Sequence, residues 1–112
     1  MSWKLFLDDL RDPGPSAMDS IICRTSQEAI DEMAVRGCPE VIFFDHDLGG
    51  DDTSMVFINH LVEELLDGNL TLPENFEYSV HSANPVGVRN IQGKMDGIIR
   101  VMRDDAPGIG LE

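Results

Sequence analysis

Trp3 to Leu7 is apolar except for Lys4 and breaks at once into Asp8, Asp9 and a loop with Pro13, Gly14 and Pro15. That pattern predicts a short strand running into an acidic turn. Ser20 to Arg24 predicts a second short strand. Thr25, with Glu28 three residues on, forms a capping-box pattern, and Ala29, Ile30, Met33 and Ala34 then recur at helical spacing until Gly37. Glu40 to Asp45 (EVIFFD) contains four consecutive apolar residues without alternation, which predicts a central parallel strand buried on both faces. A second acidic turn, DHDLGGDD, follows. Asp52, Thr53 and Ser54 offer N-caps for a helix with Phe57, Ile58, Leu61, Val62, Leu65 and Leu66 on its inner side, ending before Gly68. After a loop at 69–75, Phe76 to His81 alternates apolar and polar residues, the pattern of an edge strand with one wetter face. Asn84-Pro85 then opens a last helix, whose stripe of Val88, Ile91, Met95, Ile98, Ile99 and Met102 runs on toward Arg103.

Strands alternating with helices imply a parallel sheet with right-handed crossovers, here four strands in the order 2-1-3-4. The 112 residues suit one domain, expected over 1–103, with enough chain to bury a core without disulfides or a structural metal. Residues 104–112 read as a flexible tail, and Leu111-Glu112 as a candidate expression scar.

Charge narrows the function. Lys and Arg number 8 against 21 Asp and Glu, a net −13. Such a chain repels a nucleic-acid backbone, whose binding relies on basic residues displacing counterions, so duplex binding is excluded. A small phosphorylated substrate or a single nucleic-acid end remains compatible where a metal or fixed donors reverse the local field. No stretch approaches the roughly 20 apolar residues of a membrane span. Cys23 and Cys38, in a chain with no basic apolar leader, point to a reducing, cytoplasmic location and read as core or near-surface thiols.

In an open parallel sheet, ligands bind beyond the carboxyl ends of the strands. Three polar clusters are predicted on that edge: Asp8-Asp9, Asp45-His46-Asp47, and His81-Ser82-Ala83-Asn84. Carboxylates converging there repel one another and call for a divalent cation, and oxygen ligands favour Mg²⁺ or Mn²⁺ over zinc. The alternative is that Asp9 and Asp47 merely cap turns. His81, and with it His46 and Asp47, is a candidate for proton transfer. Ser82, Asn84 and the amides through Gly87 would cradle a phosphate at the helix start, although Asn84 also suits a plain N-cap. Arg11 and Arg89 are the nearest basic residues and suit either a phosphoryl oxygen or surface pairing. Gly93 and Gly97 are expected to let the last helix pack closely on the sheet.

Laid out this way, strand one ending in Asp8-Asp9, VIFFD ending in Asp45, and His81-Ser82-Ala83 resemble response-regulator receiver domains. The resemblance implies Mg²⁺ on Asp8 and Asp9, a phosphoacceptor at Asp45 and a switch hydroxyl at Ser82. Receivers also carry a fifth strand ending in a Lys; here that strand is missing, and Lys94 falls inside the last helix. LFLDDLRDP, FFDHDLGGDD and VHSANPVGVRN resemble more closely the signature blocks of the cyclic-phosphate-processing receiver-like family, over roughly residues 4–103. That resemblance implies a three-layer, flavodoxin-like α/β fold with a truncated sheet. It also implies a metal-dependent phosphoesterase acting on cyclic or terminal phosphates of nucleotides or RNA ends. The rival expectation is a non-catalytic receiver-like signalling or protein-binding module, phosphorylated on Asp45 or binding only a ligand.

Overall fold

The computed structural model describes residues 2–104. Its elements run β1 (Lys4–Leu7), a 3-10 turn (Pro15–Ala17), β2 (Ile21–Cys23), α1 (Ser26–Arg36), β3 (Val41–Phe44), α2 (Ser54–Leu66), β4 (Glu77–Val80) and α3 (Pro85–Asp104). The expected tail therefore lies outside the described residues, apart from the last helical position. All strand pairs are parallel and the order is 2-1-3-4.

Local chemistry sets the helix ends. Thr25 caps α1, its hydroxyl accepting from the Glu28 N–H, while Glu28 reaches back to the Arg24 N–H at 2.7 Å. Gly37, at φ +85°, stops the helix. Of the three possible caps for α2, Thr53 takes the position. Pro85 stands first in α3, where a missing N–H costs nothing.

Topology explains the layering. The chain leaves β1 for β2 in one direction, then reverses to reach β3 and β4, so right-handed crossovers put the 3-10 turn on one face and α1 and α2 on the other. The core joins Leu5, Leu7, Ile42 and Phe44 to side chains of α1, α2 and α3, so all three helices cover one face. Full burial of a side chain such as Ile42 or Phe44 contributes roughly 1.5–3 kcal/mol relative to exposure.

The layer on the opposite face is thin, the 3-10 turn with buried Ala17 being the only helical element there among the described residues. The expectation that β3 is buried on both faces is corrected accordingly. Ile42 and Phe44 are buried, whereas Val41 and Phe43 are only half-buried, because no long helix covers their side. Gly93 and Gly97 do not provide close packing on the sheet either. A Cβ at either would meet nothing, and both line an open groove with Val62 and Leu66 of α2. No described helix is long and apolar enough to cross a membrane.

Candidate functional site

β1, β3 and β4 end in register at Leu7, Phe44 and Val80, so the next residues, Asp8, Asp45 and His81, stand side by side. The ladder continues through them. The Asp8 N–H donates to Cys23 O (3.1 Å), the Asp45 N–H to Leu7 O (2.9 Å) and the His81 N–H to Phe44 O (2.8 Å).

Asp8 is fully buried. Its Oδ1 accepts the Leu10 and Arg11 N–H groups, both at 3.0 Å, and its Oδ2 lies 2.9 Å from His81 Nε2. Burial pushes this carboxyl up, but the two amides and the histidine outweigh it and hold Asp8 below its ordinary pKa. Asp45 goes the other way. Burial and then the Asp8 charge raise it, against the opposing His46 N–H, His81 and the Ser82 hydroxyl. Asp8, Asp9 and Asp45 each bring one carboxylate oxygen within 4.8 Å of the others.

These residues fit a hard divalent cation. The donors are all carboxylate oxygens, and the electrostatic cost that Asp8 imposes on Asp45 is one that a cation would relieve.

The loop from 45 to 53 is held from several sides. The Ser54 hydroxyl donates to Asp45 O. The Ser26 N–H and hydroxyl donate to Asp52 at 2.8 and 2.5 Å, so Asp52 ties the loop to the start of α1. Gly49 adopts φ +90°, and a Cβ there would come within 3.2 Å of Asp9 Oδ2, so both conformation and space call for glycine.

His46 and Asp47 form a second pair, with Nδ1 2.9 Å from Asp47 Oδ1. The contact with His46 lowers the exposed Asp47 carboxyl below its usual range. The His46 ring lies against the backbone of Gly87, where an added Cβ would sit 2.4 Å from His46 Cγ.

The third cluster differs from the anticipated phosphate cradle. The Gly87 N–H is already donated to Asn84 Oδ1 (3.0 Å), and the Asn84 N–H to the Ser82 hydroxyl (3.1 Å). Asn84 is the helix cap, and Gly87 makes room for His46. The expectation that these two amides hold a phosphate is therefore corrected: helix initiation has consumed both donors. Ser82 does stand at the site, between Asn84 and Asp45. Arg11 gives its backbone to Asp8, and its side chain is exposed over the helix-free face, beside Phe43 and His81. Arg89 is exposed on α3.

Sequence reasoning missed Arg24. Its Nη1 donates to Asp8 O (3.1 Å) and Arg11 O (2.6 Å), and its Nη2 pairs with Asp12 at 2.8 Å. One guanidinium at the end of β2 thus pins the acidic turn after β1. The only available signal was its place at the carboxyl end of a strand.

No curated protein and no solved structure matches the chain. The family model for the cyclic-phosphate processing receiver domain matches residues 3–97, nearly the whole of the described sheet and its helices. The sheet order and the carboxyl-edge acids agree with that match. The chain therefore belongs to the cyclic-phosphate processing receiver domain family.

Proposed function

We propose that the protein is a divalent-metal-dependent phosphoesterase that opens cyclic phosphates or removes terminal phosphates from nucleotides or RNA ends in a reducing, cytoplasmic setting. The observation that carries this reading is the juxtaposition of Asp8, Asp9 and Asp45 with His81 docked on Asp8. A Mg²⁺ or Mn²⁺ ion held by the three carboxylates would polarise the phosphoryl group and lower the pKa of a bound water.

The side chains supply the proton transfers. The tautomer of His81 that suits its Asp8 contact carries the proton on Nε2, leaving a lone pair on Nδ1. His46 pairs with Asp47 through Nδ1, leaving Nε2 free. Water attacks phosphorus, one imidazole accepts the water proton, the P–O2′ or P–O3′ bond breaks, and the imidazolium so formed returns that proton to the departing oxygen. Ser82, beside Asp45, would contact a phosphoryl oxygen, and Arg11 would reach the substrate from the adjoining helix-free face.

Phosphorus NMR with a 2′,3′-cyclic nucleotide and Mg²⁺ or Mn²⁺ tests this. The phosphomonoester signal should grow only with metal, and His81→Ala or Asp45→Ala should slow it at least about a hundredfold. Full turnover by either variant overturns that residue's role. Acetyl phosphate in a parallel tube tests the signalling alternative through an acyl-phosphate signal on Asp45. Neither Lys supports that alternative, since Lys4 begins β1 and pairs with Asp19 at 3.3 Å, and Lys94 is exposed on α3.

A further inference from the structure

Two residues before each of Asp8, Asp45 and His81 stand Phe6, Phe43 and Ser79, themselves aligned across β1, β3 and β4. Side chains alternate along a strand, so both rows lie on the face that the three helices leave open. The contacts agree. His81 stacks on Phe6 with centroids 5.2 Å apart and planes 13° from parallel, and Phe6 meets Phe43 at 6.3 Å. A cavity of about 320 Å³ lies on this row, lined by Phe6, Phe43, Ser79 and His81 below and by Arg11 and Ala17 of the crossing loop. Phe6 is covered, while the Phe43 ring is half-open and Ser79 is exposed.

We propose that this cavity is a nucleobase subsite. The substrate is thereby a nucleoside phosphate, with its base stacked on Phe43 and its phosphate at the Asp8–Asp9–Asp45 edge. The inference deepens the phosphoesterase reading and rests on it for the position of the phosphate.

Three observations select a base over other occupants. An aromatic floor with a polar rim suits an uncharged heterocycle; a phosphate would find no cationic floor there. The step from the Phe43 row to the Asp45 row is two strand residues, about 6.6 Å, comparable to the pentose between a base and its phosphate. Arg11 makes no ion pair among the described residues, so its guanidinium is available to acceptors on the base edge, as is the Ser79 hydroxyl. The net charge of −13 restricts the occupant to one nucleotide or one chain end rather than a long backbone.

The test is calorimetric titration of the full chain in Mg²⁺ with adenosine 3′-monophosphate and with methyl riboside 3-phosphate, the same compound without its base. The nucleotide should bind at least about tenfold more tightly, the usual scale of one stacked base. Phe43→Ala should erase that preference and Phe43→Tyr should keep it. Ser79→Arg, at an exposed position that threatens no core contact, should also erase the preference. Equal affinities in the wild type, or a preference unchanged in Ser79→Arg and Phe43→Ala, would overturn the subsite. A persistent preference without turnover of cyclic esters would instead sink the phosphoesterase reading and leave the subsite standing. An oligonucleotide ending in the same 3′-phosphate separates the two sources: tighter binding than the mononucleotide assigns RNA ends, and equal or weaker binding assigns free nucleotides.

Discussion

Asp8 and His81, 73 residues apart in the chain, meet at 2.9 Å between Oδ2 and Nε2, and this contact joins the first strand's acidic turn to the end of the last strand. The Arg11 and Leu10 amides, and after them this histidine, give Asp8 a sign in the pH dependence of stability. Its folded-state pKa is depressed, so its contribution is fully present above its ordinary value of 3.8 and is lost as pH falls through the folded value. Denaturant melts across the acid range should show Asp8→Asn with a flatter acid limb than the wild type. An unchanged limb would mean that the amides and the histidine together contribute nothing.

Asp45 carries the opposite sign. Its pKa is raised, so ionisation opposes folding once the pH climbs through the raised value. Without metal at neutral pH, Asp45→Asn should melt higher than the wild type, because it removes the buried charge that lies beside Asp8. With Mg²⁺ at a hundred times its Kd the wild type should gain about 2.7 kcal/mol and the variant far less. Thermal melts with and without Mg²⁺ decide both points.

Gly87→Ala tests the packing beneath His46. The new methyl would fall 2.4 Å from Cγ and 2.8 Å from Cβ of the ring residue, too near its root for a simple rotation to clear. Overpacking of this kind costs about 1–3 kcal/mol. The expected outcome is a lower denaturation midpoint together with loss of the His46–Asp47 contact, visible as a shift of the His46 ring signals in NMR.

Arg24→Lys should loosen the turn after β1 despite keeping the charge. A lysine ammonium cannot reproduce the fork that reaches Asp8 O, Arg11 O and Asp12 together. We expect a loss of about 1–2 kcal/mol and faster proteolytic nicking between residues 9 and 20. Limited proteolysis followed by mass spectrometry reads the second effect directly.

Both thiols should be inert. Burial, helped by Glu32 and Glu28, pushes Cys23 up to about 11, and burial pushes Cys38 up to about 12, against an ordinary 9.0. At pH 8 iodoacetamide should label the folded protein about a hundredfold more slowly than the unfolded chain. The stabilising contribution of the neutral thiols is complete below pH 9 and disappears as pH rises through about 11 for Cys23 and about 12 for Cys38. Alkaline melts should therefore be steeper for the wild type than for Cys23→Ser.

The strand order and the edge position of β4 were legible because apolar runs, alternation and caps are local signals: Thr25 caps as its sequence neighbourhood implies, and Thr53 is one of the three adjacent residues that suited the second cap. The convergence of Asp8, Asp45 and His81 followed from topology alone. Three features were not legible, two of them for a reason of distance. Arg24 acts on residues 12 to 16 positions away through a loop with no periodicity. Gly87 answers to a ring 41 positions upstream, so its local setting suggested a phosphate cradle instead. The thin layer over Phe43 arose because the first crossover is a loop with one 3-10 turn, and EVIFFD looks the same whether one face is covered or two.

Because β1 lies between β2 and β3 and β4 pairs only with β3, assembly of the sheet is ordered along the chain. A nascent chain released after β3 could already pair three strands, yet Asp8 Oδ2 would lack its imidazole until residue 81 had been synthesised. Completion of the acidic edge thus reports completion of the sheet, and a polypeptide cut short before β4 would carry the carboxylates without the histidine that orders the buried one.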